Sequence, residues 1–123
     1  MADHFTWPGV QGTYRYWLLR DRFSAVAEPG NYMFVKLAQN VWIPLYIGET
    51  DNLSDRLPNH ERWAEVVRHG ATHIMAHTSP GGVVLRRAEE RDLIARWNPV
   101  CNVQHRTQPP VPNLGFGVGM PRR

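Results

Sequence analysis

Apolar residues along this chain change their spacing several times, and each change marks a predicted element. In the first 29 residues Tyr14, Tyr16, Trp17, Leu18 and Leu19 run into Arg20, Asp21, Arg22 and Phe23 at irregular spacing. The cluster predicts an amphipathic helix laid over a sheet, although interleaved Arg and aromatic side chains also suit a nucleic-acid strand. Glu28-Pro29-Gly30 then reads as a turn. Residues 31–37 and 41–48, rich in Tyr, Phe, Val, Trp and Ile, read as two strands of a hairpin joined through Ala38-Gln39-Asn40. Pro44 has no N–H to give to a ladder, which places it on an edge strand or at a bulge. Thr50-Asp51-Asn52 offers capping side chains for a short helix over residues 53–57, which Pro58 interrupts. A new cap at Asn59 predicts a second helix to Arg68, closed by His69-Gly70. Residues 72–78 alternate as a third strand, and residues 83–97 form the strongest helical stretch, halted at Asn98-Pro99.

These elements add up to an α+β fold: a small, three-stranded, mainly antiparallel sheet flanked by helices. The expected organisation is a core over residues 30–105, an extension over residues 1–29 packing on it, and a mobile Pro- and Gly-rich tail over residues 106–123. With 123 residues, 42% of them apolar and 20% charged, the composition is that of one globular domain and excludes a charge-rich disordered chain. The most apolar run, residues 41–47, is broken by Pro44 and too short to span a bilayer, so no membrane association is expected. A lone Cys101 rules out an intramolecular disulfide and suits a reducing cytoplasm, where it reads as a packing thiol. Thirteen of the fourteen basic residues are Arg, and the net charge is +3. Arg forks match phosphate oxygens, although a biased coding sequence would give the same excess.

One polar residue stands out on the long helix. Glu90 projects from an apolar flank, between the directions of Leu93, Ile94 and Trp97. Its partner would be either Arg86, one turn earlier, or a metal ion. Tyr32 and Tyr46 sit on the two strands of the hairpin, where aromatics are ordinarily core or cross-strand pairs, and their phenols meet if the register allows. Arg56, in the short helix before Pro58, can point back across that hairpin. His73 and His77 share a face of the third strand with Met75 but lack a third ligand for zinc.

Taken together these residues resemble a known family. Gly30-Asn31-Tyr32 stands where GIY-YIG nucleases carry their first signature, and Tyr46-Ile47-Gly48 matches the second. Leu53 and Arg56, seven and ten residues beyond Tyr46, resemble the segment of the family's catalytic Arg; His60 follows four residues later. Glu90 to Pro99 and Asn102 resemble the family's metal-ligand helix and its closing Pro and Asn. The likeness covers about residues 29–104 and departs from the pattern at Asn31 and in a longer loop between the tyrosines.

The resemblance implies a DNA endonuclease in which Glu90 holds Mg²⁺ or Mn²⁺ and Tyr32 acts as base or water-positioning group. Tyr46 would contact the water or phosphate, and Arg56 would stabilise the transition state. Arg56 or His60 would lower the pKa of Tyr32 or carry its proton onward, while Gly48 and Asn102 orient the site. Glu89 is the adjacent alternative, but only Glu90 keeps the twelve-residue spacing to Asn102. Arg20, Arg22, Arg86 and Arg91 are candidate contacts to nucleic acid. The rival expectation is a nucleic-acid-binding module without turnover, and a homodimer would pair two sites.

Overall fold

The computed structural model describes residues 3–102. The tail expected over residues 106–123 lies outside that range. The hairpin forms as β3 (Gly30–Ala38) and β4 (Val41–Thr50). Its two-residue connection, Gln39-Asn40, has φ of 53° and 65°, the primed-turn geometry whose twist matches that of the strands. Phe34 pairs with Tyr46 and Val35 with Pro44, so Leu45 is the extra residue of a bulge. Pro44 lies both at that bulge and on an edge strand, where its missing N–H breaks no ladder.

The sheet has five strands where three were expected. β1 (His4–Pro8) and β2 (Thr13–Leu19) come from the first 29 residues, and β5 (His73–Thr78) is the strand expected there. The order is β1-β2-β5-β3-β4, every neighbour antiparallel. The helix read into residues 14–19 is therefore a strand, and the N-terminal extension is part of the sheet. Apolar residues on both faces of β2 hide its period: Tyr16 and Leu18 point one way, Trp17 and Leu19 the other. By pairing with β2, β5 becomes an interior strand rather than an exposed edge.

Two clusters sandwich the sheet. On one face α3 (Val83–Trp97) sets Leu93 against Trp7, Tyr16, Met33, Val35, Ile47 and Met75. On the other, α1 (Leu53–Arg56) and α2 (Trp63–Arg68) cover Tyr32, Phe34, Tyr46, Ile74 and Ala76. Asn52 caps α1 as expected, its side-chain oxygen accepting the Asp55 N–H at 3.2 Å. Asn59 does not cap α2. Its amide instead donates to the Asp55 carbonyl at 2.9 Å, and α2 starts only at Trp63, after a turn in which the His60 carbonyl accepts the Trp63 N–H. α3 ends at Asn98, left-handed with φ 49°, before Pro99 and a 3₁₀ turn, Val100–Asn102. Among the described residues no helix is long and apolar enough to cross a membrane.

Candidate active site

Strand register puts both phenols on the α1–α2 face. Their ring centroids are 6.2 Å apart, with planes inclined by 22°. Tyr32 lies opposite Gly48, and a Cβ built on Gly48 would stand 2.5 Å from the Tyr32 phenol oxygen. Only glycine lets the Tyr32 ring lie across the edge strand β4. At Gly30 a Cβ would fall 2.2 Å from the His77 carbonyl oxygen, so the first signature glycine serves the close approach of β3 to β5.

The capped turn of α1 and the bend after Pro58 bring two more groups to this end. The buried His60 ring meets Tyr32, Phe34 and Tyr46 edge-on. Its Nδ1 accepts the Arg62 N–H at 3.0 Å, so in the neutral ring Nε2 carries the proton and donates to the Tyr32 phenol oxygen at 2.7 Å. Burial, aided by the Arg56 charge, pushes His60 down to about 4, so the ring is neutral at ordinary pH. His60 is thus a donor to Tyr32, and taking its proton onward would break the bond to Arg62. Burial raises the Tyr32 pKa well above that of a free phenol, with Tyr46 adding to it. Arg56 pulls the other way, as the sequence suggested, but burial outweighs it. The Arg56 fork meets the Glu61 carboxylate with Nη1–Oε1 2.6 Å and Nη2–Oε2 3.0 Å. This pairing holds Glu61 down at about 2.

Glu90 is half-buried, and among the described residues it forms no hydrogen bond or ion pair. Burial, then the Glu49 carboxylate, pushes it up to about 7 against the opposing charges of Arg87 and Arg91. Its own charge in turn raises both phenols. Arg86 is not its partner. Only 3% exposed, Arg86 donates from Nε to Glu49 at 3.0 Å and from Nη2 to Asp51 at 2.5 Å, while its carbonyl accepts from Asn31 at 2.9 Å. That removes Arg86 from the set of nucleic-acid contacts and gives Asn31, the departure in the first signature, a role in docking α3 on β3. Glu89 turns to the other side, accepting the Tyr16 hydroxyl at 2.7 Å and meeting His77 Nε2 at 2.7 Å. A half-buried carboxylate that no cation contacts directly is a donor suited to a hard divalent ion, which takes one or two carboxylates and keeps several waters. Asn102 accepts the Ile47 N–H at 2.8 Å and donates to the Ile47 carbonyl at 2.9 Å. It acts as a one-residue partner for the free edge of β4, between Tyr46 and Gly48.

The structure therefore gathers Tyr32, Tyr46, Arg56 and His60 at the β4 end, with Gly48 and Asn102 shaping it and the charge of Glu90 reaching both phenols. Arg91 is exposed on α3. Arg20 and Arg22 lie just after β2, outside this cluster, with the Arg22 guanidinium stacked on Trp63 of α2 and donating to the Pro58 carbonyl. His73 rests against Trp42, with ring centroids 4.9 Å apart, and His77 is held by Glu89, so they share no zinc site. Among the described residues one other group, Glu65, His69 and Cys101, brings ligand atoms within 4.8 Å of one another. Glu65 already pairs with Arg62, and burial holds the Cys101 thiol up at about 11, as fits a packing thiol. Glu61 and Glu49 were missed by sequence reasoning. Glu61 carried a signal, an acid five residues after Arg56; nothing in the pattern singled out Glu49.

No family model matches the sequence, and no curated protein matches it. Solved structures do. The GIY-YIG N-terminal endonuclease domain of UvrC from Thermotoga maritima, bound to its catalytic divalent cation, magnesium, is 26% identical with a TM-score of 0.54, over 65% of this chain and 89% of that one. A point mutant of the same domain, also bound to the catalytic divalent cation, is 27% identical with a TM-score of 0.51, over 65% and 88% of the two chains. With the signatures in order and the phenols, Arg56 and His60 gathered at one sheet edge, this match makes the chain a member of the GIY-YIG nuclease fold.

Proposed function

We propose that this chain is a divalent-metal-dependent endonuclease that hydrolyses phosphodiester bonds of DNA. One observation carries the reading. Side chains from β3, β4, α1 and the bend after it converge at one sheet edge, within reach of the charge of Glu90, a carboxylate with no partner among the described residues. Glu90 would hold Mg²⁺ or Mn²⁺. Such an ion, when bound, supplies positive charge beside phosphate oxygens and polarised water.

The chain's own groups supply the remaining parts. Tyr32 positions the attacking water and takes its proton: its oxygen accepts from His60 Nε2 and lies in the field of Arg56, and both favour the phenolate that burial disfavours. Tyr46, stacked beside it, contacts the water or the scissile phosphate. The Arg56 fork takes two phosphate oxygens by exchanging the Glu61 carboxylate for them, since the planar carboxylate and the tetrahedral phosphodiester each present two anionic oxygens to the guanidinium. In this reading the enzyme works in the cytoplasm, and a homodimer would place two sites on a duplex.

The test is cleavage of labelled single-stranded and duplex DNA by wild type and Glu90→Ala, each with Mg²⁺, Mn²⁺ or EDTA. Wild type should cut only with a metal ion, and the variant should fold and fail to cut. Equal cutting by both would overturn the assignment of Glu90. The second reading, a binding module without turnover, is favoured by the Arg56–Glu61 pairing and the raised Tyr32 pKa. A folded wild type that binds DNA and never cuts would establish it.

A further inference from the structure

The α1 and α2 helices cover only part of their face of the sheet. On the same face β1 and β2 carry His4, Thr6, Arg15 and Trp17 outward, in register with one another. Trp17 is 45% exposed, and residues 20–29, which hold no helix or strand before Gly30, border the open area. Two hollows meet there at Leu19. One, about 450 Å³, is lined by Arg20, Arg22, Phe23, Trp63 and His73; the other, about 380 Å³, by Arg15, Trp17 and Val26. Each is of the size that takes a small organic ring system, roughly 300–1,000 Å³.

Charge and ring geometry indicate the occupant. Arg15, Arg20 and Arg22 face these hollows, and Asp21 is the one acid lining either of them. The Arg22 guanidinium is already fixed: it lies 4.3 Å from the Trp63 ring centroid and 5.0 Å from that of Phe23, and donates to the Pro58 carbonyl at 2.9 Å. This stack holds Phe23 in place on one side while leaving it 70% exposed. Exposed rings alternating with arginines form a platform for bases with phosphates alongside. A duplex hides the faces of its bases, so only an unpaired strand can use the rings. The platform is also near the active site, because Trp63 packs edge-on to Phe34 at 5.4 Å and Phe34 to His60 at 5.0 Å.

We propose that this groove binds unpaired nucleotides of the DNA strand being cut. Bases stack on Phe23 and Trp17, phosphates lie toward Arg15 and Arg20, and the strand passes α2 on its way to the β4 edge. This rests on the nuclease reading for the identity of the strand, and it makes single-stranded or locally opened DNA the preferred substrate.

The experiment titrates fluorescently labelled single-stranded DNA, duplex DNA and single-stranded RNA against the full chain in EDTA, so that binding is read without cleavage. Wild type is compared with Phe23→Ala, Trp17→Ala and Arg20→Ala, and each is then tested for Mn²⁺-dependent hydrolysis of bis(p-nitrophenyl) phosphate, too small to reach the groove. Each aromatic variant should bind single-stranded DNA more weakly by on the order of tenfold, with duplex affinity and small-substrate hydrolysis unchanged. Unchanged single-strand affinity in both aromatic variants, or equal loss for single strand and duplex, overturns the proposal. So does RNA bound more tightly than DNA through the same residues, or a wild-type dimer that dissociates in Trp17→Ala while DNA affinity stays put. If the groove variants lose single-strand binding and wild type never cleaves, the nuclease reading fails and the groove stands. If wild type cleaves and the variants bind normally, the reverse holds.

Discussion

Two carboxylates on α3, two residues apart, face opposite ends of the sheet and meet opposite treatment. Asp92 looks toward the β1–β2 hairpin and accepts the N–H groups of Val10, Gln11 and Gly12 at 2.9, 2.9 and 3.0 Å, and the Tyr14 hydroxyl at 2.7 Å. Its pKa is held down, by Tyr14 first, while burial and Asp92 push the Tyr14 phenol up to about 12. Glu90 looks toward the β4 edge and is raised to about 7 with no partner among the described residues. A carboxylate surrounded by donors locks a loop; one stripped of water and left without them is poised to bind something the chain does not supply. The hairpin end should therefore carry stability, and the β4 end activity.

The largest test of that division is Tyr32→Phe. If Tyr32 serves as the proposed general base, removing its hydroxyl should lower the cleavage rate by about 10²–10⁴, with DNA affinity in EDTA unchanged. A matching loss of affinity, or a rate within threefold of wild type, would show that the phenol belongs to the scaffold.

His60 lies between the two behaviours, since it both supports the site and is buried. Its folded-state value near 4 lies below the ordinary 6.5, so as pH falls the unfolded chain takes up the proton first. The stability it contributes is complete above pH 6.5 and is lost as pH drops toward 4, by at most about 3 kcal/mol. Denaturant unfolding of wild type and His60→Gln from pH 4 to 7 should show the wild-type advantage shrinking on the acid side. Parallel curves would mean that the ring exchanges its partners on protonation at no penalty.

The same contrast explains what the sequence made legible. The β4 end was readable because its constraints are local and unusual: two tyrosines on one face of a hairpin, a glycine that must be glycine because Tyr32 crosses it, and an Asn at fixed spacing that pairs with Ile47. The hairpin end was not. Its strands carry apolar residues on both faces, so alternation was masked and a helix was read instead. What makes them strands is the edge that β5 offers to β2, 57 to 59 residues away by the register of Trp17 with Ala76 and Leu18 with Met75. Arg86 misled for a related reason: its helical spacing to Glu90 was correct, but its charge partners, Glu49 and Asp51, come from the strand end beneath it.

Asp92→Ala probes the hairpin end. Three loop N–H groups and the Tyr14 hydroxyl lose their acceptor, and although solvent can reach most of them, the loop's attachment to α3 is gone. The melting temperature should fall, and the cleavage rate measured well below it should stay as in wild type. Should activity drop with stability intact, the hairpin would be communicating with Glu90 through α3, and the separation of roles would be wrong.

The smallest expected effect concerns Glu61. Its carboxylate occupies both prongs of the Arg56 fork, the position a phosphate takes in the proposed mechanism, and 63% of its side chain is exposed, so it can swing away. Exposed ion pairs of this kind contribute roughly 0–1 kcal/mol. Substituting Glu61→Gln weakens the competitor while keeping its length, so kcat/KM should rise by about two- to fivefold, mostly through KM, because the fork no longer has to be emptied before phosphate binds. A fall in kcat/KM would give Glu61 the opposite role. It would then be holding Arg56 in the productive orientation, and the pairing in the free protein would represent preorganisation of the site rather than competition for it.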